Sequence, residues 1–313
     1  MKIIFMGTPD FAVGTLEALV QAGHEVVLTV TQPDKPQGRK QVLVAPPVKE
    51  KALELGIPVF QPKRVREPES LRVLKDYEPE LIVVAAFGQI LPKELLDMPK
   101  YGCINVHASL LPKYRGAAPI QWSILNGDEV TGVTIMRMDV GLDTGDMIAK
   151  TEIKIAPEDT GGTLFDRLAE AGARLCVETI PSIVDGTAVY TPQDESVATK
   201  VGMIKKQDGL IDFSRSARAI ECQVRGLNPW PSAYTSLAGK TLKIWAADVC
   251  EGDAAKDAVL TSGTVVFIKK DCFGVQTGDG ILVCKEVQLE GKKRMSAGDF
   301  LRGISIEVGT KLG

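Results

Sequence analysis

A chain of 313 residues with 44% hydrophobic and 25% charged side chains has the composition of a globular protein large enough for two domains. No stretch reaches the roughly 18 uncharged apolar residues of a membrane span, and the apolar run at the N-terminus is too short for a signal peptide, so we expect a cytoplasmic protein. The formal net charge of −3 argues against a generally basic surface that coats nucleic acid.

The cysteine and histidine content argues against a metal site. The six cysteines are scattered without a Cys-x-x-Cys pair, and His24 and His107 are the only histidines in the sequence. Zinc sites in proteins use Cys and His ligands at short spacings. We therefore expect reduced, mostly buried thiols and no bound metal. His24 follows the glycine that ends a predicted helix, which favours a role in a turn.

The first thirty residues have the pattern of a strand, a helix and a second strand. Residues 2–6 form a short, mostly apolar run that leads into Gly7, a helical pattern runs from Phe11 to Ala22, and residues 25–30 have the pattern of a second strand. This βαβ order predicts a doubly wound parallel sheet. The turn at Gly7 lacks the G-x-G-x-x-G pattern of dinucleotide-binding sites, which removes the main argument for a nicotinamide-dependent enzyme.

Residues 31–48 contain four prolines and a glycine, and we predict no regular structure there. Three cations, Lys35, Arg39 and Lys40, lie in the middle of this segment. Clustered cations of this kind are suited to phosphate contact. A solvated flexible loop is the alternative interpretation.

A buried strand and its following turn are predicted next. Residues 81–86 form a continuous apolar run, which is typical of a central parallel strand buried on both faces. The run continues into the turn that begins at Phe87. Ligands of open α/β sheets bind outside the carboxyl ends of the strands, so this turn is a candidate binding loop. Phe87 itself is equally compatible with a place in the core.

The segment from residue 102 to 107 has the pattern of a short strand, so Asn105 and His107 project from the same face. The prolines and glycines that follow predict a loop. An amide can donate to a developing oxyanion, and an imidazole can move a proton near neutral pH. Asp143, in a second polar turn, can orient that imidazole if the fold brings them together. These three residues indicate a site that transfers a proton and stabilises an oxyanion. The alternative is a capped turn that contains a histidine with all its hydrogen bonds made within the fold.

The remainder of the chain divides at a polar, charged segment. Before it we predict a helix at 118–125, strands at 130–138 and 147–155, and a long amphipathic helix at 163–184. After it, a helix at 216–225 and five short strands fit a small β-barrel. The predicted domains are therefore 1–190, a linker at 191–206, and 207–313. Residues 205–313 carry 16 Lys and Arg against 13 Asp and Glu, so the second domain is mildly basic.

The run Asn105-x-His107-x-Ser109-Leu110-Leu111-Pro112, followed by Leu142-Asp143-x-Gly145, resembles the folate-dependent formyltransferase family. The opening Gly7-Thr8-Pro9-Asp10-Phe11-Ala12 and the chain length resemble its tRNA-directed members. The resemblance implies a Rossmann-like catalytic domain followed by an oligonucleotide-binding-like barrel. It also implies transfer of a formyl group from 10-formyltetrahydrofolate to the α-amino group of methionyl initiator tRNA, which gives N-formylmethionyl-tRNA for translation initiation.

The same resemblance implies roles for individual residues. The expected catalytic set is Asn105, His107 and Asp143. The expected folate contacts are Phe87, Gly88, Gln89, Ile90, Leu91, Ser109, Leu110, Leu111, Pro112, Val140, Gly141 and Leu142. The expected tRNA contacts are Lys35, Gly38, Arg39, Lys40, Lys205 and Lys206, with Lys240, Lys243 and residues 292–294 as further phosphate contacts taken collectively. We expect a monomer without an obligate protein partner.

Three other functions fit part of the pattern. A formyltransferase acting on a sugar nucleotide or on glycinamide ribonucleotide would share the signature without needing the basic loop and the barrel. A 10-formyltetrahydrofolate hydrolase would use the same three residues with water as the acceptor. A non-catalytic RNA-binding module would leave the spacing of Asn105, His107 and Asp143 unexplained.

Overall fold

The computed structural model describes residues 1–37, 41–250 and 261–313. Three of the expected tRNA contacts, Gly38, Arg39 and Lys40, lie outside the described residues. The chain forms two compact units. The first gathers Met1–Pro119, Val130–Lys154 and Phe165–Val201, and the second gathers Ile120–Glu129, Ile155–Leu164 and Gly202–Gly313. The predicted domain boundaries at 190 and 206 stay a prediction.

The first 201 residues contain both strands and helices. In chain order they are β1 (Lys2–Gly7), α1 (Asp10–Gln21), β2 (Glu25–Val30), β3 (Lys35–Gln37), β4 (Val42–Val44), α2 (Pro47–Glu54), β5 (Val59–Phe60), α3 (Pro68–Asp76), β6 (Leu81–Ala85), α4 (Lys93–Leu96), β7 (Cys103–His107), β8 (Arg115–Gly116), α5 (Pro119–Leu125), β9 (Val130–Arg137), β10 (Met147–Lys154), α6 (Gly161–Asp185) and β11 (Lys200–Val201). The main sheet has the strand order β10-β9-β7-β6-β1-β2-β5.

Five strands of this sheet, β5, β2, β1, β6 and β7, run parallel. This confirms the predicted Rossmann-like domain. The edge differs, because β9 is antiparallel to β7 and β10 is antiparallel to β9. A parallel neighbour needs a crossover of about a dozen or more residues. The connection between β9 and β10 is shorter than that, so the two strands form a hairpin.

The central strands are buried because their sequences are apolar on both faces. All five residues of β6 are buried, and residues 3–6 of β1 are 0% exposed. Each large aliphatic side chain removed from water contributes about 1.5–3 kcal/mol to folding. The carboxyl ends of β6 and β7 are thereby held side by side, which positions the turns that follow them.

The prediction that residues 31–48 have no regular structure was wrong. Strands β3 and β4 pair as a short antiparallel hairpin, with Lys35 opposite Val44 and Pro36 opposite Leu43, and α2 begins at Pro47. Both edges of a two-stranded ribbon are open, so a proline can sit where its missing N–H would point outward. A proline in the first turn of a helix likewise removes an N–H that has no intrahelical partner.

The second unit is built on an antiparallel sheet. Its elements beyond residue 201 are α7 (Ala217–Gly226), β12 (Ala233–Leu237), β13 (Lys240–Cys250), β14 (Val265–Ile268), β15 (Phe273–Gln276), β16 (Ile281–Leu289), β17 (Met295–Ser296) and α8 (Ala297–Gly303). The strand order is β12-β13-β16-β15-β14, with β17 on β16. The five predicted strands and the helix α7 are confirmed. The short helix α8 was missed because its two glycines disfavour a helix. Capping by Ser296 and burial of Phe300 stabilise it nevertheless.

Among the described residues, no helix is both long and apolar enough to cross a membrane, and no group of three or more His, Cys, Asp or Glu side chains could hold a metal ion. The six cysteines are free thiols. Burial raises the pKa of Cys103 and of Cys176 to about 12, so neither is a nucleophile near neutral pH. The expected cytoplasmic location, monomeric state and lack of a metal stay predictions.

Candidate active site

Strand β7 carries two of the three candidate catalytic side chains. Asn105 is 8% exposed and His107 is 6% exposed, two residues apart and therefore on the same face. The His107 Nε2 atom lies 3.0 Å from the Tyr114 carbonyl oxygen. Because a carbonyl oxygen only accepts, Nε2 carries the hydrogen in this contact. The other ring nitrogen, Nδ1, is left to exchange a proton.

Asp143 reaches His107 by a route that the sequence did not show. Since β9 is antiparallel to β7, Arg137 at its end lies opposite Ile104, while Thr134 lies opposite His107. The chain therefore leaves β9 at the end of the strand away from His107 and returns through the following loop. The Asp143 Oδ2 atom comes to 3.8 Å from His107 Nδ1. This distance is too long for a hydrogen bond but short enough for the carboxylate to stabilise a charged imidazole.

The Asp143 carboxylate is held by a backbone group. Its backbone has φ of +53°, a left-handed conformation that aspartate tolerates better than most residues. Its Oδ2 atom accepts a 2.8 Å hydrogen bond from the Gly116 N–H. Gly116 belongs to β8, which pairs with β11. Only a loop was predicted at residue 116, and this contact was missed because the partner strand lies more than eighty residues downstream.

Gly116 is required on both conformational and steric grounds. Its φ is +103°, and a Cβ atom there would lie 2.5 Å from the Val201 carbonyl oxygen. We expect Gly116→Ala to lose about 1–3 kcal/mol of unfolding free energy and to lower turnover, because the N–H that holds Asp143 must shift. Gly23→Ala is the matched control, since Gly23 also has a positive φ but nothing within 4 Å of its Cβ position. Urea unfolding of both variants measures the effect. An equal loss of unfolding free energy in the two variants would contradict the steric argument.

Asn105 presents an available amide. Within the described part of the chain, its side chain has no hydrogen-bond partner although it is 8% exposed. Its amide atoms are not among the fully enclosed polar atoms that lack a partner, so they remain accessible to a ligand. The amide is therefore placed to donate to a bound substrate on the same face as His107.

The loop after β7 is shaped by hydrogen bonds from neighbouring strands. The Ser109 hydroxyl donates to the Lys113 carbonyl at 2.6 Å, and the Ser109 carbonyl accepts from Thr134 Oγ1 at 2.7 Å. Lys150 Nζ donates to the Leu111 carbonyl at 2.5 Å, and burial lowers the pKa of Lys150. Thr134 and Lys150 were not found from the sequence. Their role depends on strand pairing, for which no local pattern exists.

The expected folate residues separate into buried and exposed groups. Phe87 and Leu91 are 2% and 3% exposed and belong to the core of the first unit. Ile90, Val140 and Leu142 are instead 76%, 68% and 55% exposed. Of the remaining residues, Ser109 and Leu111 are buried, Gln89, Leu110 and Pro112 are half-buried, and Gly88 and Gly141 are exposed.

The described tRNA candidates are exposed cations in both units. Lys35 is exposed in β3, and Lys205 and Lys206 are exposed beside a 3₁₀ turn of the second unit. On the sheet of that unit, Lys243 and Arg294 lie 5.4 and 4.8 Å from the ring centre of Trp245. Two of the further phosphate candidates are thus gathered on one patch.

Comparison with known proteins identifies the class. Residues 1–180 match the model of the formyl transferase family, and residues 203–305 match that of the formyl transferase C-terminal domain. The chain belongs to the formyl transferase family and is a one-carbon transferase.

Its full-length relatives include two proteins named methionyl-tRNA formyltransferase. The one from Agathobacter rectalis is 59% identical over 310 residues, covering 99% of each chain. The one from Bacillus licheniformis is 56% identical over 313 residues, covering 100% of this chain and 98% of the relative. A solved sugar 3N-formyl transferase, crystallised with dTDP and 5-N-formyl-THF, is 21% identical with a TM-score of 0.66 over 94% of this chain and 99% of that one. At that identity the likeness shows the fold.

Proposed function

We propose that this chain transfers a formyl group from 10-formyltetrahydrofolate to the α-amino group of methionyl initiator tRNA, giving N-formylmethionyl-tRNA for translation initiation. The observation that carries the chemistry is the 3.8 Å distance between His107 Nδ1 and the Asp143 carboxylate, on a strand whose same face carries the Asn105 amide. The acceptor is supported by the name of the full-length relatives. The donor is supported by the family and by its folate-bound structural neighbour.

The residues around the candidate site fit a folate. Ile90, Val140 and Leu142 hold exposed apolar side chains in the turns that follow β6 and β9. Exposed apolar groups beside a few convergent polar groups are typical of sites for small organic ligands. We assign these three side chains to the face of the pterin ring, and the backbone of residues 87–91 and 109–112 to its polar edge. The folate supplies the formyl group on its N10 atom.

Asn105 and His107 carry out the chemistry in this proposal. As the amine attacks the formyl carbon, negative charge develops on the formyl oxygen. Donation from the Asn105 amide to that oxygen is worth about 10²–10³ in rate. His107 takes the proton from the attacking amine at Nδ1 and returns it to the departing nitrogen, an effect of about 10²–10⁴. No covalent enzyme intermediate is needed.

Asp143 and Tyr114 keep the imidazole ready for both steps. The Tyr114 carbonyl holds the Nε2 hydrogen, so only Nδ1 gains and loses a proton. The Asp143 carboxylate lies on the Nδ1 side and stabilises the ring while it is charged. The same charged ring can donate from Nδ1 to the developing oxyanion.

The reaction is tested with labelled 10-formyltetrahydrofolate and two acceptors, methionyl initiator tRNA and the same tRNA uncharged. Label on the charged tRNA only is the expected result. Free formate without labelled tRNA would indicate the hydrolase. Label transferred only to a small amine, such as an amino sugar nucleotide, would overturn the tRNA proposal while retaining the transfer chemistry.

The basic segment at residues 35–40 is the proposed contact for the tRNA backbone. We expect Lys35→Ala and Arg39→Ala each to raise the KM for methionyl-tRNA about tenfold, equivalent to about 1.4 kcal/mol, and to leave the KM for folate unchanged. The dependence of the tRNA KM on salt should also weaken, because fewer phosphate charges are neutralised. Lys75→Ala removes an exposed lysine of α3 and is the matched control. An unchanged tRNA KM in both variants would remove this basic segment from the interface.

A further inference from the structure

Arg115 is a buried cation whose partners lie in the segment predicted to be a linker, residues 191–206. The side chain is 1% exposed. Its Nε donates to Gln193 Oε1 at 2.9 Å, and its two terminal nitrogens donate to the two carboxylate oxygens of Glu195 at 3.0 and 2.7 Å. A guanidinium is tolerated in the interior only when its hydrogens are paired. Arg115 therefore ties residues 193–195 to β8.

The bond from Arg115 determines how the Gln193 amide is oriented. Arginine has only donors, so the amide oxygen must face it. The amide nitrogen is thereby directed to the opposite side, where Nε2 donates to the carbonyl oxygens of Asp143 at 2.8 Å and of Gly145 at 2.7 Å. A single side chain thus bridges the buried cation and the turn that carries the candidate catalytic carboxylate.

The Asp143 turn is consequently held at two points by one framework. Its carbonyl oxygens are held by Gln193, and its carboxylate accepts the N–H of Gly116, the residue after Arg115 in β8. Backbone bonds on both sides of Gly116 keep β8 on β11, since Arg115 N–H donates to Thr199 and Ala117 N–H donates to Val201. The left-handed backbone of Asp143 is uncommon for a non-glycine residue and persists only where its surroundings impose it.

We propose that Arg115 and Gln193 are positioning residues for formyl transfer, which hold the Asp143 carboxylate beside His107. The proposal rests on the proposed function. Arg115 orients the Gln193 amide, Gln193 holds the backbone of the turn, and the turn sets the distance from Asp143 Oδ2 to His107 Nδ1. Both residues act through Asp143 and do not themselves touch the substrate.

The test is a double-mutant cycle between Gln193 and Asp143, measured by single-turnover formyl transfer with enzyme in excess, so that slow variants remain measurable. In the native background we expect Gln193→Ala to lower the rate about 10- to 100-fold, a coupling typical of directly bonded residues. In the Asp143→Ala background the same change should lower it less than about threefold. The proposal would be overturned if Gln193→Ala lowered the rate by the same factor in both backgrounds, or if it left the rate normal in the native background.

Two further variants separate positioning from general loss of structure. Gln193→Glu keeps an acceptor for Arg115 but removes both donors to the turn, so it should lose rate as Gln193→Ala does. Asp194→Ala removes the cap of the 3₁₀ turn at Glu195–Val197, next to Gln193 but without a bond to the Asp143 turn. It should lower the melting temperature while leaving the rate unchanged; an equal loss of rate would assign the effect to the segment as a whole. A native protein that transfers no formyl group would overturn the proposed function instead.

Discussion

His107→Ala should lower kcat for formyl transfer by about 10²–10⁴, the range for loss of a general acid or base. His107 Nδ1 is the only imidazole nitrogen of the site left to exchange a proton, because Nε2–H is bonded to the Tyr114 carbonyl. The KM values for folate and tRNA should change little, since the step that is lost is proton transfer. Both kcat and the KM values are measured by steady-state kinetics in which one substrate is varied while the other is saturating.

Removing the imidazole also breaks its hydrogen bond to the buried Tyr114 carbonyl, at a cost of about 0.5–1.5 kcal/mol. His107→Gln is therefore the companion variant, because a glutamine amide can still donate to Tyr114 yet cannot carry a proton. It should fold normally and remain as slow as His107→Ala. His24→Ala changes the other histidine, in the turn after α1, and should retain native turnover. Near-native turnover of His107→Gln would remove proton transfer by His107 from the mechanism.

Asn105→Ala should lower kcat by about 10²–10³, the typical effect of losing one donor to an oxyanion. Its effect on unfolding should be small, because no bond to another described residue is broken. Activity and stability therefore separate more cleanly at Asn105 than at His107. Single-turnover rates and urea unfolding of the same preparation provide the two measurements.

Asn105→Asp distinguishes donation from simple packing. Aspartate has nearly the same shape but places acceptors where the amide hydrogens were, so it should be at least as slow as Asn105→Ala. A variant Asn105→Asp with native turnover would show that no hydrogen bond is donated from this position. The group that stabilises the formyl oxygen would then have to be His107 alone.

Part of the candidate site could be predicted from the sequence because its signals are local. The two-residue alternation within β7 placed Asn105 and His107 on one face, and the apolar run of β6 predicted a buried central strand. The prediction for residues 31–48 failed because proline was assumed to exclude strands and helices at every position. Pro36 and Pro47 both occupy positions whose N–H is not needed, in an open hairpin and in the first turn of a helix.

The sequence by itself determined the class of the fold, the βαβ opening, the short strands of the second domain and the shared face of Asn105 and His107. These follow from periodicities of two and 3.6 residues and from turn residues, which act over a few positions. Only the tertiary structure decided how Asp143 reaches His107. Because β9 is antiparallel to β7, the following loop must run back toward His107. There its backbone is bonded by Gln193, which lies fifty residues after Asp143 and is oriented by Arg115. The direction of strand pairing and contacts between residues far apart in the sequence depend on which distant strands meet, and no local pattern encodes that choice.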